Sequence, residues 1–205
     1  GLVGSEMCIR DSHTTHAPQR RLSVEERRQE ILDAATEIFS TTPYSEVPTQ
    51  RIADHCGVSQ GLVFHYFDSK AGLYTAFLER TAINLHNAQI AAAEGLESSD
   101  TEEIVRRGLD IYLNYIETHP FVWSTGKRGG EEPIEAIHLR IERHDTTVQA
   151  LCDFLGRSDD RARIAVSGLI GFIDAIALDW VDDGCPAEQR ELLINVASAA
   201  FLAAL

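Results

Sequence analysis

Cysteine is scarce and scattered. Four residues, at positions 8, 56, 152 and 185 of a 205-residue chain, show neither the close pairs of a zinc site nor the density of a secreted disulfide scaffold. A reducing cytoplasm is the compartment they predict. No apolar run is read as approaching the length of a bilayer span, so no membrane segment is expected. No phosphate-binding glycine loop, no His-Glu-x-x-His pair and no serine elbow is read either, and with them go the commonest signatures of nucleotide, metalloprotease and hydrolase chemistry. Alternating strand patterns, internal repeats and low-complexity tracts are also missing. What is left is an all-α chain, 44% hydrophobic and 24% charged, long enough to bury a sizeable core in one or two domains.

Positive charge is the other shortage. The net charge of −14 argues at first against a polyanionic partner, since phosphate contacts come mainly from Lys and Arg. Its distribution changes that reading. Positions 20–80 hold seven basic and nine acidic residues, whereas positions 81–205 hold ten and 21. The acid therefore lies mainly in the last two thirds, where it would repel DNA and leave binding to a few contacts near the front.

Within that front segment, Thr49 to Lys70 reads as two short helices around a tight corner. Thr49 is expected to cap the first helix, whose apolar side is Ile52, Ala53 and Cys56, and Gly57 is expected to stop it in a left-handed conformation. Ser59 then offers an N-cap for a second helix, with Val63 and Phe67 inward. Ser59, Gln60, Leu62, His65 and one or both of Phe64 and Tyr66 are left outward, a surface without a carboxylate that suits base edges and phosphates. Spacing alone fits a solvated piece of a three-helix core equally well.

The run VPTQRIADHCGVSQGLVFHYFDSKAGLYTAFLE resembles the N-terminal signature of the tetracycline-repressor (TetR) family. The matching positions are Thr49, Ile52-Ala53, Gly57-Val58-Ser59, Gly61, Phe64-His65-Tyr66-Phe67, Ser69-Lys70 and Leu73. Cys56 and Phe64 depart from it, standing where alanine and tyrosine are usual. The resemblance spans about residues 23–205 and is specific over the first third. It implies a homodimeric, one-component transcriptional regulator, most often a repressor, released from a pseudo-palindromic operator by a small lipophilic effector. It assigns DNA contact to Gln60 and His65 at or beside bases and to Thr49, Ser59 and Lys70 at phosphate or groove edges. Leu62, Phe64, Tyr66 and Tyr44 complete the candidate surface.

Elsewhere the chain divides into an arm (1–22), a helix-turn-helix domain (23–68) and an effector-binding and dimerisation domain (69–205). GLVGSEMCIRDS at the start resembles a translated transposon end rather than natural protein, and Met7 to Ser12 are set apart from fold reasoning. Arg20 and Arg21 could reach phosphate. Ser23 and Glu26 form a capping box, and Ile31, Ala34, Ala35, Ile38 and Phe39 give the first helix its apolar stripe. A fourth helix capped by Asp68 or Ser69 runs to about Ala93. The next, starting at Asp100 or Thr101, ends at His119-Pro120. Phe121 to Trp123 is expected as an aromatic turn and Gly126 to Glu132 as a loop. A long helix follows, with one stripe of Ile134, Ile137, Ile141, Val148, Leu151 and Leu155. Ser158 is expected to cap the penultimate helix. That helix carries Leu169, Phe172, Ile173, Ile176 and Trp180, and the final one Leu192, Leu193, Val196, Ala197 and Phe201, so apolar a pair (158–205) that a second copy is expected to cover part of it.

The resemblance places an effector pocket between about Thr101 and Trp180, for which Tyr112, Tyr115, Phe121, Trp123, His138, Ile141 and Phe172 are candidates. No cofactor or metal is expected. Two other classes of protein are weighed. A helical metalloenzyme would use Glu135-x-x-His138, but needs a second such pair, which Glu117, His119, His144 and Asp145 do not supply. A dimeric interaction module without sequence-specific reading is consistent with every feature.

Overall fold

The computed structural model describes residues 22–97 and 99–205. The expected arm up to residue 21, with Arg20, Arg21 and the segment set apart as foreign, lies outside the described residues. Among those described there are nine α-helices, one 3-10 turn and no strand.

Helix α1 (Val24–Phe39) starts on the anticipated box: the Ser23 amide donates to Glu26 Oε2 at 2.8 Å, and the Glu26 amide donates to Ser23 Oγ at 3.1 Å. A 3-10 turn (Tyr44–Glu46) leads into α2 (Thr49–Cys56) and α3 (Gln60–Phe67). The buried stripe of α1 packs on Ile52, Ala53, Val63 and Phe67, closing a small core. That core does not end at residue 68. Leu73, Tyr74, Phe77 and Leu78 of α4 (Lys70–Ala93), with Val122 and Ala136 from farther along the chain, belong to the same cluster. Arg80 of α4 is tied to α1, donating to Asp33 Oδ1 at 2.5 Å and to the Leu32 carbonyl at 2.9 Å, and also to Thr36 Oγ1.

The second core joins α5 (Thr101–Thr118), α6 (Pro120–Arg128), the end of α7 (Ile134–Phe154), α8 (Asp160–Asp182) and α9 (Ala187–Ala204). Val105, Leu109, Leu113, Val148, Cys152, Trp180 and Phe201 are among its buried members.

Four expectations need correction. Phe121 to Trp123 is not a turn and Gly126 is not in a loop, because Pro120 starts a helix that runs to Arg128. Gly126 is accommodated there since Arg140 lies against it, 2.3 Å from where a Cβ would stand. The α7 stripe splits: Ile134, Ile137 and Ile141 face outward, while Ala136 and Leu139 meet the first core and Val148 and Cys152 the second. The helix changes neighbour along its length, from α4 to α8, so one periodic face cannot serve both. Asp159, not Ser158, caps α8, accepting from the Ala162 amide at 3.0 Å. Finally, α8 is by length and composition apolar enough to cross a membrane, with mean hydropathy 1.8 over its best 18 residues. Ile, Val and Leu contribute most of that value, and the helix packs against α7 and α9. Even so, only 28% of the stretch is buried within one chain.

Candidate nucleic-acid interface

Gly57 makes the corner. It takes φ 64° and ψ 33°, the left-handed region that a Cβ disfavours, while the Val58 amide reaches back to the Ala53 carbonyl at 2.9 Å. Ser59 caps α3, its Oγ accepting from the Leu62 amide at 3.2 Å. The letters Gly57-x-Ser59-x-Gly61 do spell a serine-elbow pattern, contrary to the reading above. They join two helices rather than a strand and a helix, and the Ser59 hydroxyl is occupied as a cap, so the pattern has no nucleophilic setting.

With Val63 and Phe67 buried, α3 presents Ser59, Phe64 and His65 at the surface and Gln60, Leu62 and Tyr66 half-exposed. Tyr66 also packs against the core, and its ring meets His65 edge-on at 5.4 Å. No carboxylate lies on this helix. One expected role changes. Pro48, not Thr49, is the N-cap of α2, and Thr49, in the first helical turn, is 5% exposed and makes no capping bond. A capping threonine would have had to stand outside the helix with extended backbone, the position proline takes here.

Lys70 opens α4, capped by Ser69, whose Oγ accepts from the Gly72 amide at 2.9 Å. Its ammonium sits 4.2 Å from the centroid of the Tyr44 ring. Partial burial pushes the Lys70 amine below its ordinary pKa, and burial raises the Tyr44 phenol, with Glu135 adding to that. Tyr44 in turn packs on Tyr74 at 4.9 Å between ring centroids. Tyr44 thus carries the lysine rather than standing apart from it. Two features went unnoticed in the sequence. Gly72 lies under the end of α3, where a Cβ would be 2.2 Å from the Phe67 carbonyl oxygen. Arg51 is exposed in the first turn of α2 and contacts Thr42 at 3.5 Å, a cation on the helix that would cross the DNA backbone.

The seven effector-pocket candidates are not brought together. Phe121, His138 and Phe172 are exposed, and Ile141 is 58% exposed, since the first half of α7 turns that side away from α4. Tyr112, Tyr115 and Trp123 do point inward. Trp123 Nε1 donates to Tyr112 Oη at 2.8 Å, Tyr112 Oη donates to Asp174 Oδ1 at 2.6 Å, and Lys127 pairs with Asp174. Burial, then the Asp174 charge, raises the Tyr112 phenol. A second cluster joins Tyr74 Oη, donating to Glu132 Oε1 at 2.5 Å, with Arg140, donating to the same oxygen at 2.8 Å. Among the described residues no group of three or more His, Cys, Asp and Glu side chains could hold a metal ion.

A compact three-helix head with a helix-turn-helix, docked on a helical body, defines a DNA-binding protein of the bacterial regulator type. The sequence model described as "Bacterial regulatory proteins, tetR family" matches residues 31–77. The HTH-type transcriptional activator FasR of Mycolicibacterium smegmatis is 28% identical over 179 residues, 82% of this chain and 78% of that protein. The HTH-type transcriptional regulator EthR of Mycobacterium tuberculosis is 24% identical over 119 residues, 58% of this chain and 55% of that protein. A TetR-family regulator from Streptomyces coelicolor superimposes with a TM-score of 0.75 at 25% identity, covering 89% of this chain and 83% of that one. The head of the chain, residues 31–77, is thus similar to that of the TetR family, and the chain is a DNA-binding transcriptional regulator with that family's fold.

Proposed function

We propose that this regulator is a cytoplasmic homodimer and not an enzyme, that it reads a pseudo-palindromic operator with α3, and that a small molecule controls its occupancy. The observation that carries the reading is the outward side of α3: Phe64 and His65 at the surface, Gln60 half-exposed beside them, no carboxylate on the helix, and Val63 and Phe67 anchored below. Gln60 and His65 read base edges, while Ser59, Lys70 and Arg51 meet phosphates, with Leu62, Phe64, Tyr66 and the edge of Thr49 filling the groove contact. Dimerisation through α8 and α9 is supported by Ile164 at 72% exposure and Leu192 at 61%, beside Phe172 and Val196 on the same pair. Repression asks only for occupancy of a promoter-overlapping site. Activation, the role for which FasR is named, needs a further contact with the transcription machinery.

Operator selection from random duplexes followed by anisotropy titration tests the proposal. Gln60→Ala is expected to narrow the gap between selected and scrambled duplexes by about 1–3 kcal/mol, the worth of one good base contact. Equal affinity of the unmodified protein for both duplexes would leave only a non-reading interaction module.

A further inference from the structure

Between head and body lies a recess of about 460 Å³, a size usual for small-molecule sites. Its walls come from three helices: Gln29 and Asp33 of α1, Arg80 and Asn84 of α4, and Tyr115 with His119 at the end of α5. The rings of Tyr115 and His119 stack at 5.0 Å, making one flat side. Tyr115 is half-buried, and its hydroxyl, which no described residue bonds, is open to solvent.

The charges of the recess face each other. Asp33 Oδ1 accepts from Arg80 at 2.5 Å and from Gln29 at 2.9 Å, and its carboxylate is 59% exposed against 22% for Arg80. Ion pairs this open to water are worth little, so a ligand that satisfies both members can enter between them. A lone carboxylate would strand Asp33, and a lone amine would strand Arg80. A molecule with both groups leaves neither charge without a counterpart.

We infer that the recess is an effector site for a small zwitterion of the α-amino-acid kind, its carboxylate on Arg80, its ammonium on Asp33 and its side chain against Tyr115 and His119. This rests on the reading of the chain as a ligand-controlled regulator. Arg80 also holds α1 through the Leu32 carbonyl at 2.9 Å, so occupancy acts directly on the joint between α4 and the head. A ligand that prefers one setting of that joint changes operator affinity by the same factor by which operator changes its own binding.

The full chain is titrated with L-phenylalanine, phenylacetate and phenethylamine, three probes that share a ring and differ in charge, and followed by amide NMR. L-phenylalanine is expected to bind at least tenfold more tightly than either single-charge probe, with shifts centred on α1, α4 and the end of α5. Asp33→Asn is expected to move the preference towards phenylacetate, and Asn84→Leu, which narrows the recess, to weaken all three. Equal binding of the probes, shifts centred on α8 and α9, or no saturation at millimolar concentration overturns the assignment. The unaltered shift pattern of Asp33→Asn away from α1 and α4 reports that it folds. Operator anisotropy on the ligand-free protein is run alongside: its failure removes the regulator reading, while failure of the probes with operator binding intact removes only the recess.

Discussion

Replacing Gly72 with alanine offers a sharp test of how α3 is seated. A Cβ at position 72 would stand 2.2 Å from the carbonyl oxygen of Phe67, the last residue of α3, whereas real contacts of this kind are not shorter than 3.0 Å. The obstacle is backbone, so no rotamer change relieves it, and the end of α3 must lift from the first turn of α4. Overpacking of this sort costs about 1–3 kcal/mol. Against it stands the gain of up to about 1 kcal/mol that alanine normally brings to a helix over glycine. The net expectation is a loss of about 1–2 kcal/mol, or a fall in Tm of roughly 2–8 °C for a chain of this size. Gly108 of α5 is the control: nothing lies within 4 Å of its Cβ position, so Gly108→Ala should gain about 0.5–1 kcal/mol and raise the Tm by a few degrees. The same exchange is thus expected to act with opposite sign at two helical sites. Calorimetry and operator anisotropy decide the matter, the second because a lifted α3 should also weaken operator binding. A Gly72→Ala protein that melts with the wild type and binds operator equally would refute the seating described for the recognition helix.

Lys70→Ala should weaken binding to all duplexes alike and flatten the slope of log K against log salt by about one unit, and an unchanged slope would remove the phosphate assignment. Ile164→Arg, placed on the exposed side of α8, should convert the proposed dimer to a monomer in solution scattering while the far-ultraviolet spectrum stays helical; a persistent dimer would put the interface elsewhere. The Asp159 carboxyl is lowered from 3.8 to about 2, first by Arg157 and then by the Ala162 amide. Its contribution is therefore present above pH 3.8 and fades as pH falls through about 2, so protection of the Ala162 amide should decline over that window. Asp159→Asn, which keeps an acceptor without a charge, should flatten that decline, and an identical profile would rule Asp159 out as its source.

The head was legible because its signals are local. Gly57, Ser59 and the Ser23–Glu26 box each act within four residues, and the structure uses them as caps or a corner. Thr49 was misassigned because a threonine after proline can be read either as a cap or as the first helical residue, and only the tertiary setting decides between them. The body was less legible, for a physical reason seen in α7. Hydrophobic spacing picked out Ile134, Ile137 and Ile141, whereas the side that packs on α4 is built from Ala136, Leu139 and the Arg140 pairing with Glu132. Small residues and buried ion pairs leave no trace in apolar periodicity. Two of the pocket candidates, His138 and Ile141, lie apart from Tyr112 and Trp123 for the same reason, since they share that outward side.

Helix α4 runs unbroken through 24 residues, giving Leu73, Tyr74, Phe77 and Leu78 to the first core before it lies along α5. Head and body therefore share one continuous helix and one core, so a movement of α4 in the body is passed on to the head. A fragment of the first 68 residues would lack six of the buried side chains in the core that holds α3 in place, Leu73, Tyr74, Phe77, Leu78, Val122 and Ala136. Heat should melt both halves together, so a compound bound anywhere on the folded body raises the midpoint for the head as well. A thermal scan against a compound library, with no DNA present, becomes a screen for effectors of transcription.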